Sequence, residues 1–252
     1  MTAIRTVLVT NASGYAGPGA VGALLEAGFR VLAHDASFGD PASWRAFAGE
    51  RENLEPLSET EPEAVVSAAF ERADRLDAIV SNDHHPAPSR PPGSAPIEAL
   101  RDNQYKLVEF PFRLIRAALP SLRAQGGANV VMITSNRDRL PLQGGAFPDA
   151  TRAAANALVR SLAVDLAPDR ITVNAVAPNF LYSEQFYPAA FYKRSEAGRD
   201  YVRRSVATGQ LAEPEEIGEL IVFLASAKTR FLTGAVIDFS GGWPFGPPRP
   251  TG

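Results

Sequence analysis

The chain has 252 residues, 45% of them hydrophobic, and a formal net charge of -3 from 25 basic and 28 acidic residues. This length suits one large core, so we expect a single domain over residues 1–252. The near balance of charge gives no footprint for nucleic acid or anionic lipid and favours a small-molecule substrate. Because cysteine is absent, disulfides, thiolate catalysis and cysteine-ligated metals are excluded. No stretch is apolar enough to span a bilayer, so we expect a cytoplasmic protein with no membrane partner.

Short β-rich runs alternate with amphipathic helical stretches along the chain. The runs, which suit strands buried on both faces, are Thr6–Thr10, Arg30–His34, Ala78–Ser81, Asn129–Ile133, Thr172–Ala177 and Ala235–Phe239. The helical stretches are Gly17–Ala27, Glu61–Ala73, Ile97–Leu119, Ala150–Asp165 and Pro214–Leu224. This alternation predicts an α/β fold: a single doubly wound Rossmann-type domain, with a parallel sheet and helices on both faces.

Two segments do not fit the alternation, and both follow predicted strands. One is the proline-rich stretch Pro86–Pro96, and the other runs from Asn179 to about Gly198 and contains six aromatic residues. Open parallel sheets bind their ligands beyond the carboxyl ends of the strands. We therefore expect these two segments to form the walls of a pocket.

A glycine-containing loop, Thr10–Gly19, follows the first predicted strand and precedes a helix. It resembles the pyrophosphate loop of the short-chain dehydrogenase/reductase superfamily, in which glycines let the backbone touch the phosphates. Here Asn11 replaces the first of those glycines and Tyr15 the second. A phenol at that position projects into the space of the nicotinamide half and the phosphates, so we expect no NAD(P) and no other cofactor.

An alternative for this loop stays open. Gly14, Gly17 and Gly19 can be written as a working phosphate loop in a shifted register. In an NAD-dependent enzyme, Asp35 after the second strand would then grip the adenosine ribose. With the loop blocked, Asp35 is better interpreted as an ordinary polar residue that ends a buried strand.

The same substitution matches a known pattern. Threonine, four residues, Phe or Tyr, one residue and then Gly is the N-terminal signature of the halohydrin dehalogenases, and Thr10, Tyr15 and Gly17 match it. The chain resembles that family over nearly its whole length. Further stretches that carry the resemblance are His34–Phe38, Val80–Asp83 and Ala177–Leu181.

The resemblance also implies a catalytic constellation of serine, tyrosine and arginine. Ser135 lies two residues after the predicted strand Asn129–Ile133. Arg152 lies seventeen residues after Ser135, as the family's spacing requires. The position of the tyrosine, thirteen residues after the serine, is occupied by Pro148. Proline supplies neither a proton acceptor nor a backbone donor. The expected base is therefore missing, while the serine and arginine positions are kept.

The family's chemistry implies a role for each position. The serine hydroxyl holds the substrate oxygen, the arginine lowers the pKa of the tyrosine, and the resulting alkoxide closes an epoxide while halide leaves. The halide and substrate pocket implied by the resemblance consists of Tyr15, Pro178, Asn179, Phe180, Leu181 and Tyr187. Aromatic and apolar walls with a few N–H donors suit a large, weakly hydrated anion. The implied partners are a small-molecule substrate and halide.

Candidates for a replacement base are few. Asp149 lies one residue from the expected helix face, and Tyr15 or Tyr187 would have to act from a pocket loop. His84 and His85 could suggest a metal pair, but adjacent residues seldom point at one ion and no third ligand follows. We expect no metal.

Three functions are consistent with these residues. The first is a cofactor-independent lyase of the halohydrin dehalogenase type, weakened or altered by the missing tyrosine. The second is an NAD(P)-dependent reductase, and the third is a non-catalytic binding or assembly protein on the same scaffold. From the superfamily resemblance we also expect a homo-tetramer built on the helices Ile97–Leu119 and Ala150–Asp165.

Overall fold

All described strands run parallel in one sheet. In the computed structural model, which describes residues 4–86 and 89–246, seven strands pair in the order β3-β2-β1-β4-β5-β6-β7. They are β1 (Thr6–Val9), β2 (Arg30–His34), β3 (Leu54–Leu57), β4 (Ala78–Ser81), β5 (Asn129–Ile133), β6 (Thr172–Pro178) and β7 (Val236–Phe239). The order reverses between β1 and β4, so the loops after these strands diverge and leave a crevice.

The helices that connect these strands cover both faces of the sheet. Those within the described ranges are α1 (Gly17–Glu26), α2 (Pro41–Ala48), α3 (Pro62–Arg72), α4 (Ile97–Gln104), α5 (Phe110–Ala124), α6 (Ala146–Leu166), α7 (Ala189–Tyr192), α8 (Glu196–Ser205) and α9 (Pro214–Ser226). A π-helical turn, Tyr105–Glu109, joins α4 to α5. Apolar residues of α3, α5 and α6 bury one sheet face, and those of α1 and α9 bury the other.

The approach of α1 to α9 is unusually close and depends on glycine. A Cβ built on Gly19 would lie 1.8 Å from the backbone oxygen of Pro214, and one on Gly218 would lie 2.7 Å from the backbone oxygen of Gly19. No side chain fits at that separation. The contact holds the beginning of α1, and with it the preceding loop, against the layer that covers β4 and β5.

The predicted fold class is confirmed: the chain folds as a single-domain α/β protein with a parallel sheet flanked by helices. The sequence patterns missed β3, α2, α7 and α8, and the predicted helix Ile97–Leu119 is in fact α4, the π-turn and α5. Helix α6 begins four residues earlier than the predicted Ala150, because Gly145 precedes a first turn that already includes Pro148. Pro148 is therefore a helical residue.

Candidate active site

A cavity of about 480 Å³ opens at the carboxyl edge of the sheet. The loops after β4, β5 and β6 and the beginning of α6 supply its walls, as the strand order predicts. The sequence-predicted residues that line it are Tyr15, Ser135, Pro148, Arg152, Pro178, Asn179, Phe180 and Tyr187. Both expected pocket segments contribute, since Pro86 and Ser89 also line it, while residues 87 and 88 lie outside the described ranges.

Leu181 does not line this cavity. Its side chain is fully buried among the apolar residues of the sheet face covered by α1 and α9, because the chain at this point pairs with Ala212 and turns the side chain into the core. Leu181, which was expected from the sequence in the halide pocket, is therefore a core residue.

Ser135 is held at the floor of the cavity by its neighbours from three segments. Its hydroxyl donates to the carbonyl oxygen of Pro178 at 3.2 Å and accepts from the backbone N–H of Arg137 at 3.3 Å. The side-chain amide of Asn156 on α6 donates to the Ser135 carbonyl at 2.9 Å. These bonds fix the loop after β5 against α6, the helix that carries Arg152.

Arg152 places a buried guanidinium at the cavity. The residue is 8% exposed, and one of its Nη atoms donates to the carbonyl oxygen of Thr134 at 3.3 Å. Burial lowers the pKa of Arg152, while the nearby Tyr15 and Asp83 oppose that shift. A guanidinium nevertheless keeps its charge at any ordinary pH, so the site contains a permanent cation.

Asp83 is the buried acid that accompanies this cation. Its carboxylate accepts hydrogen bonds from the Ser81 hydroxyl at 2.5 Å and from the Asn11 side-chain amide at 3.3 Å. Burial raises the pKa of Asp83 to about 7, against the lowering effect of those donors and of Arg152. Asp83 lies in the stretch Val80–Asp83 that carries the family resemblance, which implies no role for it; the sequence signal is an acidic residue shortly after a buried strand.

Pro148 is the residue at the position where the family resemblance places the tyrosine. Pro148 is buried, lies in the first turn of α6 and lines the cavity with Arg152, which is one helical turn further on. Asp149, one of the replacement bases considered, is bound elsewhere: it accepts from Arg137 Nε at 2.6 Å in an ion pair. Asp149 therefore holds the loop after β5 in place.

The two tyrosines considered as replacement bases are poor proton acceptors. Burial raises the pKa of Tyr15 to about 12, although Arg152 opposes the shift. Burial also raises the pKa of Tyr187, whose hydroxyl donates to Asn179 Oδ1 at 2.6 Å and accepts from the Phe180 N–H at 3.2 Å. At neutral pH both are protonated phenols.

One end of the cavity is aromatic. The ring of Phe180 stacks on Tyr187 with centroids 5.2 Å apart and lies 6.3 Å from that of Trp243, which also lines the cavity. Asn136, next to Ser135, donates through its amide to the Trp243 carbonyl at 3.2 Å and so anchors the C-terminal segment on this wall. Phe180 has φ +55°, and its backbone N–H donates within the loop to Asn179 Oδ1 at 3.0 Å and to the Tyr187 hydroxyl at 3.2 Å. This end suits a large anion of low hydration.

A cluster of three aromatic rings divides the crevice above the glycine loop. Tyr15 has φ +53°, and its ring centroid lies 5.0 Å from that of Phe186 and 5.8 Å from that of His84. His84 in turn is hydrogen-bonded to Gln185 at 2.8 Å. The cluster stands between the large cavity and a second one of about 250 Å³, which is lined by His84 and Asp35.

The residues at the glycine loop do not fit a dinucleotide. The imidazole of His84 covers Gly14 so closely that a Cβ there would lie 2.7 Å from its Nε2, and the aromatic cluster fills the middle of the crevice. Asp35 has no oxygen left for a ribose: one oxygen accepts from the Ser13 N–H and hydroxyl, and the other accepts from the same groups of Ser37. The structural interpretation of Asp35 agrees with these bonds.

The residues that the structure describes contain neither a membrane-spanning helix nor a cluster of metal ligands. No helix among residues 4–86 and 89–246 combines the length and apolar character needed to cross a bilayer. Nor does any group of three His, Asp or Glu side chains in these ranges come together as metal ligands. His84 and His85 both line the smaller cavity, and of the two only His85 also lines the large cavity.

The comparison with protein families decides the ancestry of this site. The family model described as enoyl-(acyl carrier protein) reductase matches residues 14–244. The chain belongs to the short-chain dehydrogenase/reductase superfamily. Among curated members of this superfamily, a tropinone reductase homologue of Arabidopsis thaliana is 34% identical over 136 residues, which are 54% of this chain and 50% of that protein. The match thus spans about half the length of that relative.

Two solved structures of dehalogenating enzymes are similar to this chain over nearly its whole length. A protein described as a dehalogenation enzyme has a TM-score of 0.90 and 35% identity, covering 95% of this chain and 98% of its own. A halohydrin dehalogenase bound to ethyl (2S)-oxiran-2-ylacetate has a TM-score of 0.92 and 33% identity, covering 98% of this chain and 100% of its own. The ligand in that structure is an epoxide.

Proposed function

We propose that this short-chain dehydrogenase/reductase is a cofactor-independent lyase of the halohydrin dehalogenase type, which interconverts vicinal haloalcohols and epoxides. The observation that carries the proposal is the arrangement of the crevice. The dinucleotide space is filled by Tyr15, His84 and Phe186, while Ser135 and Arg152 still face a cavity with an aromatic end. The similarity to two dehalogenating enzymes over at least 95% of the chain supports it.

The residues divide the chemistry between them. Ser135 can turn its hydroxyl from the Pro178 carbonyl to the substrate oxygen, since a hydroxyl rotates freely between acceptors. The Arg152 charge, buried and permanent, stabilises the alkoxide that forms when that oxygen loses its proton. The alkoxide oxygen then bonds to the neighbouring carbon as the carbon–halogen bond breaks. The halide leaves with that electron pair towards Phe180, Tyr187 and Trp243.

The test is release of bromide and formation of epoxide from a small vicinal bromoalcohol, without added nucleotide. We expect Arg152→Ala to lower kcat/KM by a factor of about a hundred or more, because the oxyanion loses its buried cation. Arg160→Ala is the matched control: it removes an exposed arginine from the same helix and should leave release unchanged. Absence of bromide release by the folded wild-type protein would overturn the proposal.

A nicotinamide-dependent reductase is the second candidate, because the family model and the curated relative are reductases. It requires a bound dinucleotide, which the residues around Tyr15 do not fit. The same protein sample should therefore show no heat of binding with NADH or NADPH at millimolar concentration. Micromolar binding together with nucleotide oxidation would favour the reductase and reject the lyase.

A further inference from the structure

The proposed lyase needs a proton acceptor, and the usual tyrosine is absent from its place on α6. Besides His85, the ionisable side chains that line the large cavity are Tyr15, Arg137, Arg152, Tyr187, Tyr192 and Tyr201. The two guanidinium groups carry no lone pair that takes a proton. A phenol has a pKa of about 10 in water, and burial raises the pKa further at Tyr15, Tyr187 and Tyr192.

His85 is the remaining group, and its position suits a base. It lies on the loop after β4, next to the loop after β5 that carries Ser135, because β4 and β5 are neighbours in the sheet. It lines the cavity that contains Ser135 and Arg152, and it also lines the smaller cavity on the other side of the aromatic cluster. A proton taken on one side therefore has a path to water on the other.

We propose that His85 is the catalytic base of this site and replaces the missing tyrosine; the inference rests on the proposed lyase function. The unprotonated ring nitrogen takes the hydroxyl proton of the haloalcohol held by Ser135. The oxygen electron pair forms the carbon–oxygen bond of the epoxide, and the carbon–halogen bond breaks to release halide. The imidazolium then returns its proton to water through the smaller cavity.

Burial, more than the surrounding charges, keeps the His85 imidazole in its neutral form. Burial lowers the pKa of His85, with Lys106 and Arg152 acting in the same direction and Asp102 opposing them. The imidazole is thus neutral at pH 7 and able to accept a proton. Because the base must be neutral, activity is retained above its pKa and lost as the pH falls through it, which places the acid limb of the rate profile below pH 6.5.

Asp83 is the competing candidate, since its pKa of about 7 also suits a base. Its carboxylate does not line the cavity, and both of its oxygens already accept hydrogen bonds from Ser81 and Asn11. We assign Asp83 a positioning role beneath Arg152. The Asp83→Asn variant therefore belongs in the same experiment.

The experiment measures bromide release from a vicinal bromoalcohol between pH 4.5 and 9. His85→Gln should lower kcat by about a hundredfold or more, with little change in KM, and should abolish the acid limb. Two exposed neighbours that do not line the large cavity, Asp102 and Lys106, test the assignment, although Lys106 lines the smaller cavity. Asp102→Asn should move the limb to lower pH, Lys106→Gln should move it to higher pH, and both shifts should shrink in high salt. Arg101→Gln, a matched loss of one exposed cation on the same helix, should not move it.

The outcomes separate the two proposals. Wild-type protein that releases no bromide rejects the lyase function itself. Wild-type protein that is active while His85→Gln retains a third or more of its kcat overturns the base assignment alone. Loss of the acid limb in Asp83→Asn but not in His85→Gln would also overturn it and identify Asp83 as the base.

Discussion

Pro148 fits the first turn of α6, the helix that carries Arg152. It is the third residue of α6, within the first turn, where backbone N–H groups have no acceptor inside the helix. A proline there breaks no helical hydrogen bond, and Asp149 still donates its N–H to the Gly145 carbonyl at 2.8 Å. We therefore expect Arg152 to keep its place at the cavity when tyrosine replaces Pro148.

We predict that Pro148→Tyr restores chemistry to a protein without its histidine base. In the His85→Gln background, the new phenol beside Arg152 should raise bromide release by about a hundredfold. Burial should leave its pKa high, as it does at Tyr15, so the gain should grow between pH 7 and pH 10. Adding Arg152→Ala should remove the gain, whereas a folded triple variant as active as the double would refute the carry-over of the tyrosine position.

Sequence spacing locates residues that are close along the chain and fails for those brought together by the sheet. Ser135 and Arg152 were predicted as a pair from the spacing that the chain shares with the halohydrin dehalogenases, and both line one cavity. The roles proposed for His85 and Asp83 depend on β4 pairing between β1 and β5, which no local pattern reveals. Leu181 was expected in the halide pocket but lies in the core for the same reason, because its pairing with Ala212 sets the direction of its side chain.

The α1 and α9 helices lead to a prediction about elements. Gly19→Ala would place a methyl group 1.8 Å from the Pro214 carbonyl oxygen, so the two backbones must separate. We expect the free energy of unfolding in urea to fall by about 1–3 kcal/mol, as in overpacked cores. Gly22→Ala on the same helix is the matched control, because its Cβ meets no heavy atom within 4 Å. It should stabilise by up to about 1 kcal/mol, and equal behaviour of both variants would contradict the close contact.

The missed elements escaped the sequence patterns for different reasons. β3 has the sequence Leu-Glu-Pro-Leu, with no β-branched residue and a proline that belongs at a sheet edge, and it is indeed the edge strand. α8 is amphipathic but largely polar, and it buries only Gly198 and Val202, so few apolar residues mark it as a helix. The π-turn Tyr105–Glu109 lies just before Pro111, a proline inside the stretch that the periodicity predicted as one helix.

At the scale of the whole molecule, we propose a homo-tetramer and one domain over residues 1–252. Phe112 on α5 is 41% exposed and Val164 on α6 is 76% exposed, and such apolar side chains on long helices favour packing against a second copy. Light scattering at micromolar concentration should give four times the chain mass of 26.9 kDa.

The interface has its own variants. Phe112→Glu with Val164→Glu should lower the mass to that of smaller species, because charge cannot be buried unpaired in an isologous contact. Leu140→Glu, the same kind of change in an exposed loop, is the control and should leave the tetramer intact. A monomer mass for the unaltered chain would reject the proposal.

The aromatic cluster in the crevice has a consequence for ancestry. Tyr15, His84 and Phe186 come from three separate segments. The carboxylate of Asp35 in addition accepts hydrogen bonds from Ser13 and Ser37. Because replacing any one of these residues leaves the others in the nucleotide space, we expect no single substitution to restore dinucleotide binding. Selection would therefore have no favourable first step towards hydride transfer.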